Sequence, residues 1–218
     1  MTRCRGAFIT FEGPDGAGKT SQARLLAESL RARGLEVILT REPGGTEIGD
    51  QIRAVLHDLK NTAMHPRTEV LLFSASRAQH VEEKIRPALE RGAVVISDRY
   101  YHSTLAYQGY GHGLDLDALE ALTAFATGGL EPDMIIYIDI CAEEGLRRRK
   151  LAAGAGEEWN RMDAYALAFH ERVCEGYHVL RARDPGRWLY IDGNASMGEV
   201  QARIAAGLDS RWNDLLEE

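Results

Sequence analysis

Gly13-Pro14-Asp15-Gly16-Ala17-Gly18-Lys19-Thr20 follows directly on the apolar stretch Phe8-Ile9-Thr10-Phe11 and leads into the amphipathic segment Ser21 to Arg33. A buried-type strand, a glycine-rich turn and a helix, in that order, make a phosphate-binding loop. The glycines let the chain curl tightly around a polyphosphate, while backbone N–H groups and the N-terminus of the next helix supply fixed positive potential. Lys19 is placed to reach the β and γ phosphates and Thr20 to offer a magnesium ligand. The stretch predicts a nucleoside triphosphate site and an α/β fold around it.

Outward from this loop, short apolar runs recur at Phe8 to Phe11, Val37 to Leu39, Val94 to Ile96, Met134 to Ile138 and Trp188 to Ile191. Five β-branched-rich runs of this kind predict a parallel sheet covered on both faces. Helical spacing fills the intervals: Ile48, Ile52, Val55, Leu56 and Leu59; Val81, Ile85 and Leu89; Leu116, Leu119, Leu122 and Phe125; Val200, Ile204 and Leu208. The alternation specifies a doubly wound α/β fold. Pro66 opens a long helix reaching about Arg91, which Pro87 should kink or divide near its end. Met162, Ala166, Phe169, Val173, Tyr177 and Leu180 predict a further helix before the Asp184-Pro185-Gly186 turn.

At 218 residues, the chain fits one α/β domain spanning 1–218. Composition is ordinary for a globular protein, and there is no apolar run of membrane-spanning length. Met1-Thr2-Arg3-Cys4-Arg5-Gly6 enters the first strand without an apolar export segment, so the expectation is cytoplasmic. Cys4, Cys141 and Cys174 form neither a Cys-x-x-Cys pair nor an even set, which argues for reduced, packing thiols. A net charge of −7 gives no general affinity for polymeric nucleic acid. His170, Cys174 and His178 share a helix face but lack an evident fourth metal ligand, and packing explains their spacing. Zinc-protease spacing and a serine nucleophile elbow are both missing from the sequence.

Two strand ends carry chemistry. Asp98 and Arg99 close Val94-Val95-Ile96-Ser97, at the edge where open α/β sheets bind ligands. Asp98 suits magnesium, and Arg99 suits bridging donor and acceptor phosphates with its planar fork; a strand-terminal salt bridge is the bland alternative. Arg41-Glu42-Pro43-Gly44-Gly45-Thr46 follows the second strand, and its spacing fits equally a ligand-approaching backbone or a turn with Thr46 capping the next helix. Between Arg147 and Arg161, four consecutive cations give way to Leu151-Ala152-Ala153-Gly154-Ala155-Gly156. Charge alone reads this as a solvated helix end and loop. Beside a phosphate loop it also fits a lid, 147–161, that closes with arginines over the transferring group.

Taken together, Phe11-Glu12-Gly13 with the phosphate loop, Arg41 to Thr46, Leu71-Leu72-Phe73-Ser74-Ala75-Ser76-Arg77, Asp98-Arg99-Tyr100 and Ser103-Thr104-Leu105-Ala106-Tyr107-Gln108-Gly109 resemble the thymidylate kinase family over most of the chain. The resemblance implies a P-loop nucleoside monophosphate kinase-like fold, magnesium ATP as donor, dTMP as acceptor, dTDP as product and a homodimer. It implies that Gly13 to Ser21 and Arg148 bind ATP. Phe73 would stack on thymine, Arg77 would bond a base carbonyl, Ser103 and Gln108 would orient the nucleotide, and Tyr107 would crowd the sugar. Residue type alone would put Phe73 and Tyr107 in a core. Pro43, Arg53 and Arg99 match positions around the acceptor phosphate, and Asp15 an acidic loop position that organises the reacting groups. With glycine at Gly16 where some members carry arginine, catalytic charge would come from Arg148, Arg149 and Arg161 of the lid. Asn160-Arg161-Met162-Asp163 departs from the family's Asp-Arg-x-Glu, and Leu151 to Glu158 reads as a longer connection than usual. Another nucleotide kinase, or a P-loop protein that binds nucleotide without transferring phosphate, would share the loop but not the full set.

Overall fold

The five apolar runs become five strands: β1 (Phe8–Glu12), β2 (Val37–Arg41), β3 (Val94–Asp98), β4 (Met134–Asp139) and β5 (Trp188–Asp192). They form one all-parallel sheet in the order β2-β3-β1-β4-β5. The computed structural model describes residues 6–156 and 159–212. Met1 to Arg5, with Cys4, of the segment read for an export signal, like Glu157-Glu158 of the expected lid, lie outside the described residues.

All of β1 is buried, as a central parallel strand covered on both faces must be. The two-residue pleat divides its side chains between two layers. Ile9 and Phe11 pack with Leu26 and Leu30 of α1 (Lys19–Ala32) and with Ile204 and Leu208 of α9 (Met197–Asp209). Phe8 enters the opposite layer with Val81, Ile85 and Tyr100. In that second layer, Ile135 and Tyr137 meet Phe169, Val173 and Tyr177 of α8 (Leu167–Arg183). Register brings Asp98 beside both Phe11 and Arg41, so the ends of three strands converge on one edge.

α2 (Glu47–His57) starts at a Thr46 cap whose side chain accepts from the Gly49 N–H, so the helix-cap reading of that segment is realised. The segment opened by Pro66 divides into α3 (Pro66–His80), a π-helical turn at Val81–Ile85 and α4 (Arg86–Glu90). Pro87 falls in the first turn of α4, directly after the π-helical turn whose last bond runs from the Arg86 N–H to the Val81 carbonyl. After β3 come α5 (Tyr101–Thr104) and a π-helical segment, Leu105–Gly111, then α6 (Leu116–Thr127).

Two expectations change. α7 (Ala142–Gly154) runs through Leu151-Ala152-Ala153, where the sequence reads as part of a long connection; these strong helix formers extend the helix and shorten the link. The helix expected from Met162 begins instead at Leu167. The Asn160 side chain accepts from the Met162 N–H, forming a turn that competes with helix, and Met162 is buried from that turn rather than from a helix face. No helix among the described residues is long and apolar enough to cross a membrane.

Candidate active site

The phosphate loop turns on glycines with left-handed backbone. Gly13 has φ 139° and Gly16 φ 78°, and a Cβ at either would lie 2.3 Å from a carbonyl oxygen, of Ile138 and Gly145 respectively. α1 then begins with no side-chain cap and no acidic residue in its first turn. Its free N–H groups and dipole are thus available to an anion. Lys19 is buried, with Nζ donating to the Pro14 carbonyl at 2.7 Å. Burial and the neighbouring Arg99 charge pull its pKa down to about 8. Thr20 Oγ1 donates to the Asp98 carboxylate.

Arg99 is the one non-glycine residue with positive φ among the described residues, at 74°. The left-handed conformation costs an L-residue other than glycine ~1–2 kcal/mol, so surrounding bonds must hold it. They do: Nη2 donates to Asp15 Oδ1 at 2.6 Å and to the Tyr107 hydroxyl at 3.2 Å, while Nη1 reaches the Gly13 carbonyl, Ser103 Oγ and the Tyr177 hydroxyl. Tyr107 in turn donates to Asp15 Oδ2 at 2.7 Å. Burial would raise the Asp15 pKa, but Arg99, Lys19 and the Tyr107 bond overcome it and hold this carboxyl well below the usual range.

Beneath this cluster, the buried Glu12 carboxylate accepts from the Tyr100 N–H at 2.9 Å, Ser103 Oγ at 2.7 Å and the Tyr177 hydroxyl at 2.9 Å. Burial raises its pKa despite Arg99 and these donors. A second buried carboxylate, Glu42, accepts from Arg77 Nε at 2.7 Å and lies 3.1 Å from His80 Nδ1, whose Nε2 meets Thr40 Oγ1 at 2.7 Å. Arg77 Nη1 also donates to Thr104 Oγ1 at 3.0 Å. Its guanidinium is therefore aimed by two fixed partners, on a helix face that also carries Phe73.

One cleft of about 640 Å³ takes in both sets of residues. Its walls include Asp15, Lys19 and Thr20 from the phosphate loop, and Phe73, Arg77, Ser103, Tyr107 and Gln108 from α3, α5 and the π-helical segment. Gly16, Gly18, Ser21, Asp98 and Arg99 also line it, as do Pro43 and Arg53, whose Nη1 donates to the Pro43 carbonyl at 3.2 Å. Gly13, Pro14 and Ala17 complete the loop behind this surface, with the Gly13 and Pro14 carbonyls holding Arg99 and Lys19. The strand-terminal bonding of Asp98 and Arg99 and their exposure to the cleft coexist, so the bland alternative and the functional one describe the same residues.

The lid arginines divide into two groups. Arg148 and Arg149 line the cleft. Arg148 bonds Glu144 at 2.6 Å and the Gly193 carbonyl at 3.1 Å, and Arg149 makes a two-pronged contact with the buried Asp163 at 2.9 and 3.0 Å. Arg161, expected beside the transferring phosphate, is not among the lining residues. Its guanidinium is captured at 2.5 Å by Glu69 and further held by the Tyr165 hydroxyl and the Leu56 carbonyl. A buried carboxylate facing it outcompetes an open cleft for that charge.

Sequence reasoning gave Glu12, Glu42, Glu69, His80 and Tyr177 no role in the site. For Glu12 a signal existed, namely a carboxylate at the end of an apolar strand with no adjacent cation in sequence to neutralise it, whereas Glu42 follows Arg41 and reads as paired with it. Glu69 and Tyr177 looked like helix surface and core. His178 contacts Asp139 at 3.1 Å and Cys174 Sγ faces the Ile140 carbonyl, while no group of three metal-ligating side chains gathers among the described residues.

Residues 11–204 match the family model described as thymidylate kinase. The thymidylate kinase of Roseiflexus castenholzii is 55% identical over 208 residues, covering 91% of each chain. That of Geotalea daltonii is 46% identical over 213 residues, covering 95% of this chain and 99% of the relative. The crystal structure of thymidylate kinase from Ehrlichia chaffeensis matches with a TM-score of 0.76 at 32% identity, over 94% of this chain and 99% of that one. The fold is accordingly that of the P-loop nucleoside monophosphate kinases, and the chain belongs to the thymidylate kinase family.

Proposed function

We propose that this enzyme transfers the γ-phosphoryl group of magnesium ATP to dTMP, yielding ADP and dTDP for dTTP synthesis. The observation that carries the reading is the bonding of Arg99. A single guanidinium joins Asp15 of the phosphate loop to Ser103 and Tyr107 of the opposite wall, in a cleft that also contains Lys19 and Arg77.

The chemistry requires two polyanions to approach in line. A phosphate oxygen of dTMP, already anionic at neutral pH, forms a bond to the γ-phosphorus. The bond from that phosphorus to the bridging oxygen breaks, and ADP leaves with the electron pair. No proton needs to be removed, so Asp15 acts by holding Arg99 rather than as a base. Lys19 and Arg99 offset repulsion between the two phosphate chains, and the backbone of Gly13 to Ser21 cradles the donor. Thr20 and Asp98 fit a magnesium ion and would help to hold it, because hydroxyl and carboxylate oxygens are hard donors. Bound there, the ion neutralises charge on the β and γ phosphates.

On the acceptor side, Phe73 stacks on the base, Arg77 bonds its carbonyl, Gln108 reads its edge and Ser103 orients the nucleotide. Pro43 and Arg53 sit about the acceptor phosphate, and the Tyr107 ring crowds the 2′ position. Residues 147–161 act as a lid on one catalytic unit, 1–218, with Arg148 against the adenine and Arg149 reaching the phosphates once Asp163 releases it. Ile48, Val55, Leu71 and Phe125 expose apolar surface on α2, α3 and α6, which suits a homodimer contact. We assign the enzyme to the cytoplasm, with no polymeric nucleic acid or membrane as partner.

An ADP-release assay with dTMP, dUMP, TMP, thymidine and dCMP tests the reading. The highest kcat/KM is expected with dTMP. ATP binding without ADP formation on any acceptor would replace this account with that of a nucleotide-binding regulatory protein.

A further inference from the structure

Glu69 stands at the first turn of α3, two turns before Arg77, and is wholly buried. Four groups from two separate parts of the chain converge on its carboxylate. Gln108 Nε2 donates to Oε1 at 2.7 Å, and His112 Nε2 lies 3.2 Å from the same oxygen. Arg161 Nη2 donates to Oε2 at 2.5 Å, and the Tyr165 hydroxyl does so at 3.0 Å. Burial alone would favour the protonated form, but His112, Arg161 and Gln108 reverse this and hold the pKa down to about 2. An ionised carboxylate only accepts hydrogen bonds.

That restriction has a consequence for the cleft, because Gln108 lines it. An amide can turn over end for end, and in a neutral pocket either end can face a ligand. Against Glu69, only the NH2 end can point inward, since a carbonyl there would set lone pairs against a negative charge. The amide carbonyl, an acceptor, is what Gln108 then offers to the cleft. An acceptor complements a ring N–H, as in the imide of thymine or uracil, and opposes the bare ring nitrogen of cytosine.

We propose that Glu69 is a positioning residue for base selection: its carboxylate, anchored by Arg161, fixes the Gln108 amide with the carbonyl toward the acceptor and thereby favours an imide base over cytosine. The proposal rests on the reading that the Phe73, Arg77 and Gln108 wall receives the acceptor's base. It gives Arg161 a place in the enzyme distinct from the phosphates, as the counter-charge that keeps Glu69 ionised in a dry setting.

The test is the ratio of kcat/KM for dTMP over dCMP, with KM for ATP measured alongside. Glu69→Gln keeps the shape but lets residue 69 accept or donate, so Gln108 is free to turn. The ratio should fall about tenfold, with KM for ATP within about twofold of the parent. Gln108→Leu should lower the ratio to a similar extent, and adding Glu69→Gln to it should lower it no further. If Glu69→Gln fails to fold because Arg161 is left unpaired, Glu69→Gln/Arg161→Met removes both charges and should show the same fall in ratio. An unchanged ratio in the folded variants overturns the proposal. So does an equal rise in KM for ATP and dTMP with the ratio intact, which marks a purely structural role. If the parent enzyme does not phosphorylate dTMP at all, the assignment of function fails first and this inference with it; a parent that prefers dTMP beside a Glu69→Gln variant that prefers it equally rejects the inference alone.

Discussion

Replacing Arg161 with alanine separates a lid arginine that stabilises a transition state from one that holds the fold around the acceptor pocket. The guanidinium makes bonds to Glu69, Tyr165 and Leu56, and the side chains of Arg161 and Glu69 are 8% and 1% exposed. At that depth solvent screening does little. Removing one partner strands the other charge, a loss of about 3–5 kcal/mol. For a chain of this length each kcal/mol moves Tm by about 2–4 °C, so Arg161→Ala should melt roughly 10 °C below the parent. The pH dependence has a definite sign. Glu69, held down to about 2 from an ordinary 4.5, contributes stability that is complete above 4.5 and is lost as pH falls toward 2. Without Arg161, burial acts on Glu69 with less opposition, and acid sensitivity should begin at higher pH. Thermal melts by circular dichroism from neutral pH downward, paired with kcat at a temperature where the variant is folded, provide the assay. A Tm within about 2 °C of the parent together with a kcat loss above about 100-fold would refute this reasoning and restore Arg161 to the phosphates.

Lys19→Ala should lower kcat by at least about 100-fold with the fold intact, and near-parental turnover would contradict the donor site. Because the Lys19 ammonium is held at a pKa of about 8, KM for ATP in the parent should rise as pH climbs through about 8; a flat profile there would speak against contact with the phosphates. Tyr107→Phe removes the hydroxyl that bridges Asp15 and Arg99 but keeps the ring, so kcat should fall several-fold while discrimination of dTMP against its ribonucleotide counterpart stays put. Tyr107→Ala should weaken that discrimination. Phe125, 86% exposed on α6, should if replaced by aspartate shift sedimentation from dimer toward monomer; an unchanged sedimentation coefficient would place the contact elsewhere.

The strands and the phosphate loop were legible because they follow from local pattern. Phe8 to Phe11 is apolar at every position but the β-branched Thr10, which suits a strand buried on both faces, and the glycines at 13, 16 and 18 match a backbone only glycine adopts easily. Local pattern also placed Asp98 and Arg99 on the ligand edge. It failed where a side chain had to choose among partners distant in sequence. Arg161 lies in an arginine-rich stretch that reads as a lid, and nothing near it in sequence announces Glu69, 92 residues earlier. Arg99 presented its guanidinium as a phosphate ligand, but not its left-handed backbone, which depends on five tertiary bonds. The start of α8 is hidden for a similar reason: Met162 is buried at helical spacing, yet from a turn held by Asn160. Alanines at 152 and 153 read as the start of a loop because Gly154 and Gly156 follow them, yet their own helix preference carries α7 to Gly154.

A bisubstrate ligand that joins adenosine to thymidine through a chain of phosphates tests the central claim most directly, since one cleft seating two nucleotides end to end must accept both halves at once. Titration calorimetry should give one ligand per chain with affinity above that for ATP or dTMP alone, and steady-state inhibition should be competitive against each substrate. Competition against ATP but not dTMP would mean that the acceptor lies outside the cleft built around Arg99, and would contradict the account.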